Sequence, residues 1–561
     1  ETIVSMVRET VTKLVAEALQ KIGLEGEVEL EHPSDLSHGD FSCNIAMVLA
    51  KETGKNPREL AEEVVQNISE HEDIEKVEVA GPGFINFHLS EDFFTEQTAH
   101  VLSQEKQWGN SDNRKGETIL LEHSSPNLFK PFHIGHLVNN SLGEALVRIM
   151  RTTGANVIPL SFPSDVSPGI AKAVWGVLDK GWEKEVTIEK IGKAYAHGVQ
   201  RYDEDERIKE RIDEINKSLY NQEKGTPEWE VYEKGRGISL DYFTQITTKL
   251  GSEFDELIFE SESEIEGKKI VTKNTPKVFE ESEGAIIFRG SKHGLFDNVF
   301  INSAGFGTYL TKDIGLLSLK FGKHSFNKSI TVTDIEQKHH FELVKKVAEF
   351  VEPKWAEKSL YIQHGRLGLT SGKISSRTGN VPLAEEILDS VEERALEKMA
   401  ESGREKGKET AKQVAIAALK YAIVRVGMGK NITFDIESSL SFEGDTGPYL
   451  QYTHARARSI LRKAEEQRDD SVNRGGLAVT NIERLLYRFP NVLAHAAKEY
   501  EPHYVANYLS ELASTFNTWY AHEQVLDGST AQGYKLALTQ AVATTLKNGL
   551  WTLGIEAPEK M

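Results

Sequence analysis

Cysteine is almost absent from the 561 residues: Cys43 stands alone. One thiol cannot close an internal disulfide, and thiolate zinc sites use several, so neither a disulfide framework nor a cysteine-based structural zinc is expected. Long hydrophobic runs are also missing. No apolar stretch approaches the ~20 residues that cross a bilayer, so no membrane partner is expected. Residues 1–25 read as an amphipathic helix and not as a signal peptide. Val7, Val11, Leu14, Leu19 and Ile22 recur at helical spacing, and Gly23 follows as a stop. A reducing, cytoplasmic compartment fits these absences. Positive charge is scarce too: 66 Lys+Arg against 86 Asp+Glu give a net charge of −20, which argues against broad nucleic-acid binding. An RNA partner would have to be met by a local surface. Residues 441–561 hold 12 basic and 14 acidic side chains, so the acid excess lies mostly elsewhere.

What is present is a globular composition, with 39% apolar and 27% charged residues, in a chain long enough for about three or four domains. Residues 1–110 read as a compact α+β module. Helical patterns cover 1–22 and roughly 40–70, and a strand-like run from Glu75 to Leu89 is broken by the turn Gly81-Pro82-Gly83. The polar stretch from Trp108 to Gly116 reads as a linker. Thr118–Leu121 and Val157–Leu160 then bracket a helical pattern from Ile134 to about Arg151. This strand–helix–strand order opens a doubly wound parallel sheet. Residues 180–275 are charge-rich, mostly helical and without a chemical motif, and read as an insertion. Strands follow at Ala285–Phe288, Val299–Asn302 and Ile330–Val332, with helices near 311–320 and from about 340. Residues 384–430 and nearly everything after Ser441 are helical. Two apolar stripes there, one through Tyr508, Leu512 and Phe516 and one through Leu538, Val542 and Leu546, fit a bundle core.

Three strings carry chemistry. The first runs from Glu122 to His136 and contains Ser124, Asn127 and His133-Ile134-Gly135-His136. It joins a strand end to a helix start, where ligands of open parallel sheets bind. Free N–H groups at the helix N-terminus suit phosphate, Gly135 permits close approach, and two histidines three apart can donate to phosphate oxygens. Alone, this pair also fits surface or capping histidines, or part of a metal site. The second string, His364-Gly365-Arg366-Leu367-Gly368-Leu369 followed by Ser371-Gly372-Lys373-Ile374-Ser375-Ser376-Arg377, is a Gly- and Ser-rich loop with two cations able to neutralise a triphosphate. The third places Tyr309 and Asp313 four apart on a helix. A phenol and a carboxylate on one face make a guanidinium receptor, although such a pair is also common on helix surfaces.

The first string resembles the HIGH motif of class I aminoacyl-tRNA synthetases. Its flanks, Ser-Ser-Pro-Asn-x-x-Lys-x-x-His-Ile-Gly-His-Leu, resemble the arginyl-tRNA synthetases. The second resembles the KMSKS loop, with Lys373 at the first lysine but Ser376 at the second and Arg377 beside it. The third resembles the arginine-binding helix of that family. The resemblance implies ATP as substrate, with magnesium on the triphosphate, and catalysis by His133, His136, Lys373 and Arg377. ATP would be held by His133, Gly135, His136, His364, Gly365, Lys373, Ser375 and Ser376. L-arginine would be held by Glu122, Ser124, Asn127, His133, Tyr309, Asp313 and Gln337. It also implies that arginine activation needs bound tRNA. Asp445–Arg456 and Ala506–Tyr520 resemble the anticodon-binding domain, and Gly81–Phe87 resembles the added N-terminal domain. Asn86, Phe87, Tyr449, Gln451, Arg456 and Trp519 are the tRNA contacts this implies. Pro163–Gly169 departs from the family's Gly-Asp-x-Gly string and keeps only Asp165.

The expected fold is α/β: a doubly wound parallel-sheet, Rossmann-like catalytic domain with an α+β N-terminal and an all-helical C-terminal domain. The expected divisions are 1–112, a tRNA-contacting α+β domain; 113–390, catalytic; 391–440, a helical connector; and 441–561, anticodon-binding. The expected activity is arginine–tRNA ligation through an arginyl-adenylate, by a monomer without a protein metal site. The alternatives are a synthetase for another amino acid, a non-catalytic relative, or a nucleotidyltransferase without a tRNA.

Overall fold

The computed structural model describes residues 3–33, 35–370, 382–401, 407–464 and 474–561. Its centre is a five-stranded, wholly parallel sheet. The strand order is Ser359–His364, Lys328–Asp334, Thr118–Glu122, Asn156–Ser161 and Glu256–Leu257. Ile119, Leu120, Leu121 and Ile330 are fully buried, as a sheet covered on both faces requires. Thr118–Glu122 occupies the middle, so its carboxyl end opens between two neighbouring loops. One pair of backbone contacts, Asn127 with Ser164, holds those loops side by side.

The sheet corrects three expectations. Glu256–Leu257 pairs with Leu160–Ser161, so the parallel sheet resumes inside the stretch read as an insertion. The helices Ile188–Glu204, Glu206–Tyr220 and Pro227–Lys249 precede that point. Ala285–Phe288 and Asn298–Ile301 stay outside the parallel sheet, in a separate antiparallel one where Ala285–Phe288 lies between Asn298–Ile301 and Glu280–Ser282. The presumed linker is docked. Trp108 is buried, and its indole N–H donates to Thr545 Oγ1 at 3.0 Å.

The first unit is a four-stranded antiparallel sheet with the helices Ile3–Lys21, Ile45–Thr53 and Pro57–Asn67. Gly81-Pro82-Gly83 joins its hairpin, Ile74–Ala80 with Phe84–Leu89. A buried ring from elsewhere, Tyr487, enters its core, and Arg484 donates to the buried Asp40 beside it at 2.6 Å. The largest apolar cluster draws on residues from Val101 to Ile555. The helix Ile134–Thr152 lies within it, between the sheet and the helices Lys408–Val424, Phe489–Glu499 and Gln532–Thr552. Tyr508, Leu512, Phe516, Leu538, Val542 and Leu546 are buried, as the two stripes require. No helix among the described residues is long and apolar enough to cross a membrane.

Two glycines set the position of the helix Tyr309–Lys323. A Cβ at Gly315 would strike the Ser263 carbonyl, and one at Gly267 would strike that of Thr311. The helices Glu260–Lys273 and Tyr309–Lys323 therefore touch backbone to backbone. Gly315→Ala should force them apart, at a cost of about 1–3 kcal/mol. A fall in the thermal unfolding midpoint, with a raised KM for the ligand that Asp313 faces, is the expected result.

Candidate active site

The loop leaving the central strand is held by its own side chains. Ser124 adopts φ +54°, and its N–H donates to Asn139 Oδ1 at 2.6 Å. The Asn139 amide donates to Val332 O at 2.8 Å and lies 3.2 Å from His364 Nε2. One side chain thus ties three strand ends together. His364 Nδ1 meets Gly365 O at 2.8 Å, so both ring nitrogens of His364 are used. A Cβ at Gly143 would strike the buried His123 ring, so glycine there lets this loop lie against the helix.

At the helix start the two histidines form the cap. His133 Nδ1 accepts from Gly135 N–H, and His136 Nδ1 accepts from His133 N–H, both at 3.1 Å. The rings lie 3.8 Å apart, with Phe132 stacked on His136. Ile134 N–H donates to Pro382 O, and the N–H groups of His136 and Leu137 donate to His133 O. The first-turn N–H groups are therefore occupied, not free for phosphate as expected. What faces outward is Nε2–H. Burial, reinforced by the neighbouring His133 and Lys130, pushes the His136 pKa down to about 3. Burial and Lys130 lower His133 as well. Both rings are neutral donors at physiological pH.

Both histidines line a cavity of about 530 Å³, together with Glu122, Asn127, Gly135, Tyr309, Asp313, Gln337 and His364. These residues come from five separated stretches of chain. Glu122 is buried. Its Oε2 accepts from Lys320 Nζ at 2.5 Å and from Thr331 Oγ1 at 3.2 Å, and its Oε1 accepts from the Ser125 hydroxyl at 3.5 Å. Glu260 takes Lys312 and the Ser164 hydroxyl in the same way. Asp313 Oδ2 is paired with His340 Nε2. Burial alone would lower the His340 pKa, but the hydrogen bond and charge of Asp313 outweigh it and raise it above the ordinary imidazole value. Tyr309 is 60% exposed, one helical turn from Asp313. The cavity is thus lined by neutral N–H donors and by carboxylates, of which Glu122, Glu260 and Asp313 are each matched by one cation.

Several expected residues lie elsewhere. Lys373, Ser375, Ser376 and Arg377 fall outside the described residues; the chain leaves at Thr370 and returns at Pro382, beside the histidine cap. Ser124 is buried behind the loop, and Ser125 lines the cavity in its place. Gly365 is not in the lining; a Cβ there would strike the Lys430 carbonyl, so it serves close packing. Asn86 and Phe87 are buried in the first sheet, so neither presents to RNA. Gln451 is fully buried and donates to Gln413 O and Glu556 O. Tyr449 and Arg456 are half-buried and bonded to Asn517, and Trp519 is half-buried against the bundle core. Asp165 is buried, holding Ser261 and Arg236, which makes it an anchor between loop and helix. Among the described residues no group of three or more His, Cys, Asp or Glu side chains is arranged for a metal ion.

Asn139, Lys312, His340 and Glu260 are among the lining residues that went unnoticed in the sequence. Asn139 is three beyond His136 on the same helix face, a legible signal. Lys312 stands between Tyr309 and Asp313, and His340 three residues beyond Gln337. Glu260 carries no local signal.

Three family models match the chain: "Arginyl tRNA synthetase N terminal domain" over residues 9–89, "tRNA synthetases class I (R), catalytic domain" over 97–436, and "DALR anticodon binding domain" over 450–561. The arginine–tRNA ligase of Pediococcus pentosaceus is 31% identical over 99% of this chain and 100% of its own. That of Ligilactobacillus salivarius is 32% identical over 95% of each chain. The solved structure of Thermus thermophilus arginyl-tRNA synthetase is similar at a TM-score of 0.80 and 27% identity, covering 99% of this chain and all of that one. With a parallel sheet, a histidine-capped helix and an acid-lined cavity in one frame, and with matches running from end to end, the chain belongs to the arginyl-tRNA synthetase family, the class I enzymes that activate arginine with ATP and load it onto tRNA.

Proposed function

We propose that the cavity holds arginine and ATP in line and that the chain catalyses both steps of arginine–tRNA ligation. The observation that carries this reading is the cavity's lining, which brings His133 and His136 together with Tyr309 and Asp313. The guanidinium lies against Asp313 Oδ1 and the Tyr309 hydroxyl, a planar fork matched to a carboxylate. Glu122 Oε1, Asn127 and Gln337 hold the amino-acid end. The arginine carboxylate attacks the α-phosphorus, a P–O bond forms, and pyrophosphate leaves. The neutral imidazoles donate Nε2–H to phosphate oxygens as charge builds on them. Lys373 and Arg377 neutralise the triphosphate. Magnesium arrives with the triphosphate, and no step is routed through a protein ligand for it. In the second step the terminal ribose hydroxyl of the tRNA attacks the adenylate carbonyl and AMP leaves. No protein nucleophile is needed. A monomer acting in the cytoplasm is part of this reading; the single, buried thiol Cys43 fits the reducing compartment.

Purified chain should load labelled arginine onto tRNA. Asp313→Asn should lose roughly 10- to 100-fold in kcat/KM for arginine, because a buried charged hydrogen bond is worth about 1–3 kcal/mol, while the KM for ATP changes little. Unchanged arginine kinetics would remove Asp313 from the pocket.

His340 gives the reading a pH signature. Its pKa is raised, so its protonated form persists above the usual imidazole range and pairs with Asp313. A bound guanidinium supplies the same charge, and the imidazolium then faces a second cation. Arginine binding should therefore release a proton wherever His340 is protonated, and affinity should rise with pH through that range. Calorimetry in two buffers of different ionisation enthalpy measures the release. Zero release, or affinity falling with pH, would contradict the pairing.

A further inference from the structure

The stretch read as an insertion carries no chemical motif, yet its helix Pro227–Lys249 grips the chain that leads into the histidine cap. Tyr232, Gly235, Ser239 and Tyr242 recur at helical spacing on one face. That face meets the run Phe129-Lys130-Pro131-Phe132. Phe129 N–H donates to Ser239 Oγ at 3.1 Å, and Phe132 N–H donates to the Tyr242 hydroxyl oxygen at 3.2 Å. Each bond spans 110 residues of sequence, so nothing local supplies it. Ser239 sends its own proton to Gly235 O at 2.8 Å, which leaves its oxygen as the acceptor. The Phe129 ring lies parallel to Tyr232, 6.1 Å between centres, and a Cβ at Gly235 would strike it. Both phenylalanines are buried, as are Ser239 and Tyr242.

This run needs outside support. Phe129 adopts φ +63°, left-handed backbone that a bulky side chain rarely takes. Such a conformation persists where the surroundings over-determine it, and here the inserted helix supplies them. Phe132 is then fixed at three points. Tyr242 takes its N–H, Ala384 N–H donates to its carbonyl at 2.9 Å, and its ring stacks on His136 with centres 4.5 Å apart. The third point bears on the chemistry. The bond from His133 N–H fixes where His136 Nδ1 sits, but one bond leaves the ring free to tilt about it. The direction of Nε2–H depends on that tilt, and a flat ring against the imidazole sets it.

We propose that Ser239 and Tyr242 are positioning residues for the reaction: from the inserted helix they hold the Phe129–Phe132 turn, so that the Phe132 ring keeps His136 Nε2–H in line. This rests on the reading of His136 as a phosphate donor. Such a donor must be held within about 0.5 Å and 10–20° of the productive geometry. A hydroxyl on a remote helix is therefore felt in the rate without touching either substrate.

The test is a double-variant cycle on the whole chain. Wild type, Tyr242→Phe, His136→Ala and the two combined are compared by pyrophosphate exchange with tRNA present. Tyr242→Phe keeps the ring and removes only the acceptor of Phe132 N–H. It should lower the exchange rate roughly tenfold, a fraction of the about 10²–10³ that losing a whole donor costs, with the KM of arginine and of ATP unchanged. In the His136→Ala background it should cost nothing further. Ser239→Ala, at the other end of the grip, should repeat the pattern independently. Imidazole nitrogen NMR gives a readout that lost stability alone would not move. The His136 pKa, held down chiefly by burial, should rise toward the ordinary imidazole value in folded Tyr242→Phe. An equal loss of rate in both backgrounds, or no loss in either, would overturn the proposal. A rate that His136→Ala leaves untouched, with the His136 signal still shifted by Tyr242→Phe, would leave the grip standing and overturn the reading of His136 as the donor.

Discussion

The structure turns on two hydrogen bonds at the start of the helix Ile134–Thr152. His133 Nδ1 accepts from Gly135 N–H and His136 Nδ1 accepts from His133 N–H, and three consequences follow from that geometry. Each ring is locked in orientation. Each is fixed as the Nε2–H tautomer, because Nδ1 is an acceptor. The helix N–H groups are consumed, so the free donors at this helix start are the imidazole Nε2–H groups. Burial then keeps the rings uncharged. The alternative of ordinary capping histidines and the alternative of catalytic histidines are thus one arrangement: the cap is what aims the donors.

The cavity's carboxylates follow a different rule. Carboxylates buried without partners are costly, so each is matched before any ligand arrives. Glu122 has Lys320 and Glu260 has Lys312, both immovable ammonium groups. Only Asp313 is matched by a histidine. A histidine can give up its charge near neutral pH and a lysine cannot. The carboxylate whose counter-charge can be switched off is the one proposed to meet a guanidinium.

Much of this was legible in the sequence wherever a feature is contiguous. The strand Thr118–Glu122, the histidine string and the Tyr309–Asp313 turn all stand where their spacing put them. Features that depend on distant partners were not. Lys320 lies 198 residues from Glu122, and nothing local marks the pair. Asn86 and Phe87 look like a loop-borne contact beside a turn, but they belong to the hairpin strand that the first core covers. Gln451 reads as a polar side chain on a surface helix, yet two backbone carbonyls from other segments bury it. Trp108 sits in a polar stretch that composition marks as a linker, and one hydrogen bond to Thr545 docks it. In each case packing against a remote segment overrides the local pattern.

The central claim is that the two histidines are neutral Nε2–H donors held by the cap they form. Imidazole nitrogen NMR on the labelled protein, with His133→Gln and His136→Gln variants to identify the signals, reads tautomer and charge together. Two neutral Nε2–H rings at neutral pH, staying neutral as the pH falls well below the usual imidazole pKa, are the predicted result. An Nδ1–H tautomer, or a ring that protonates like a free imidazole, would contradict it.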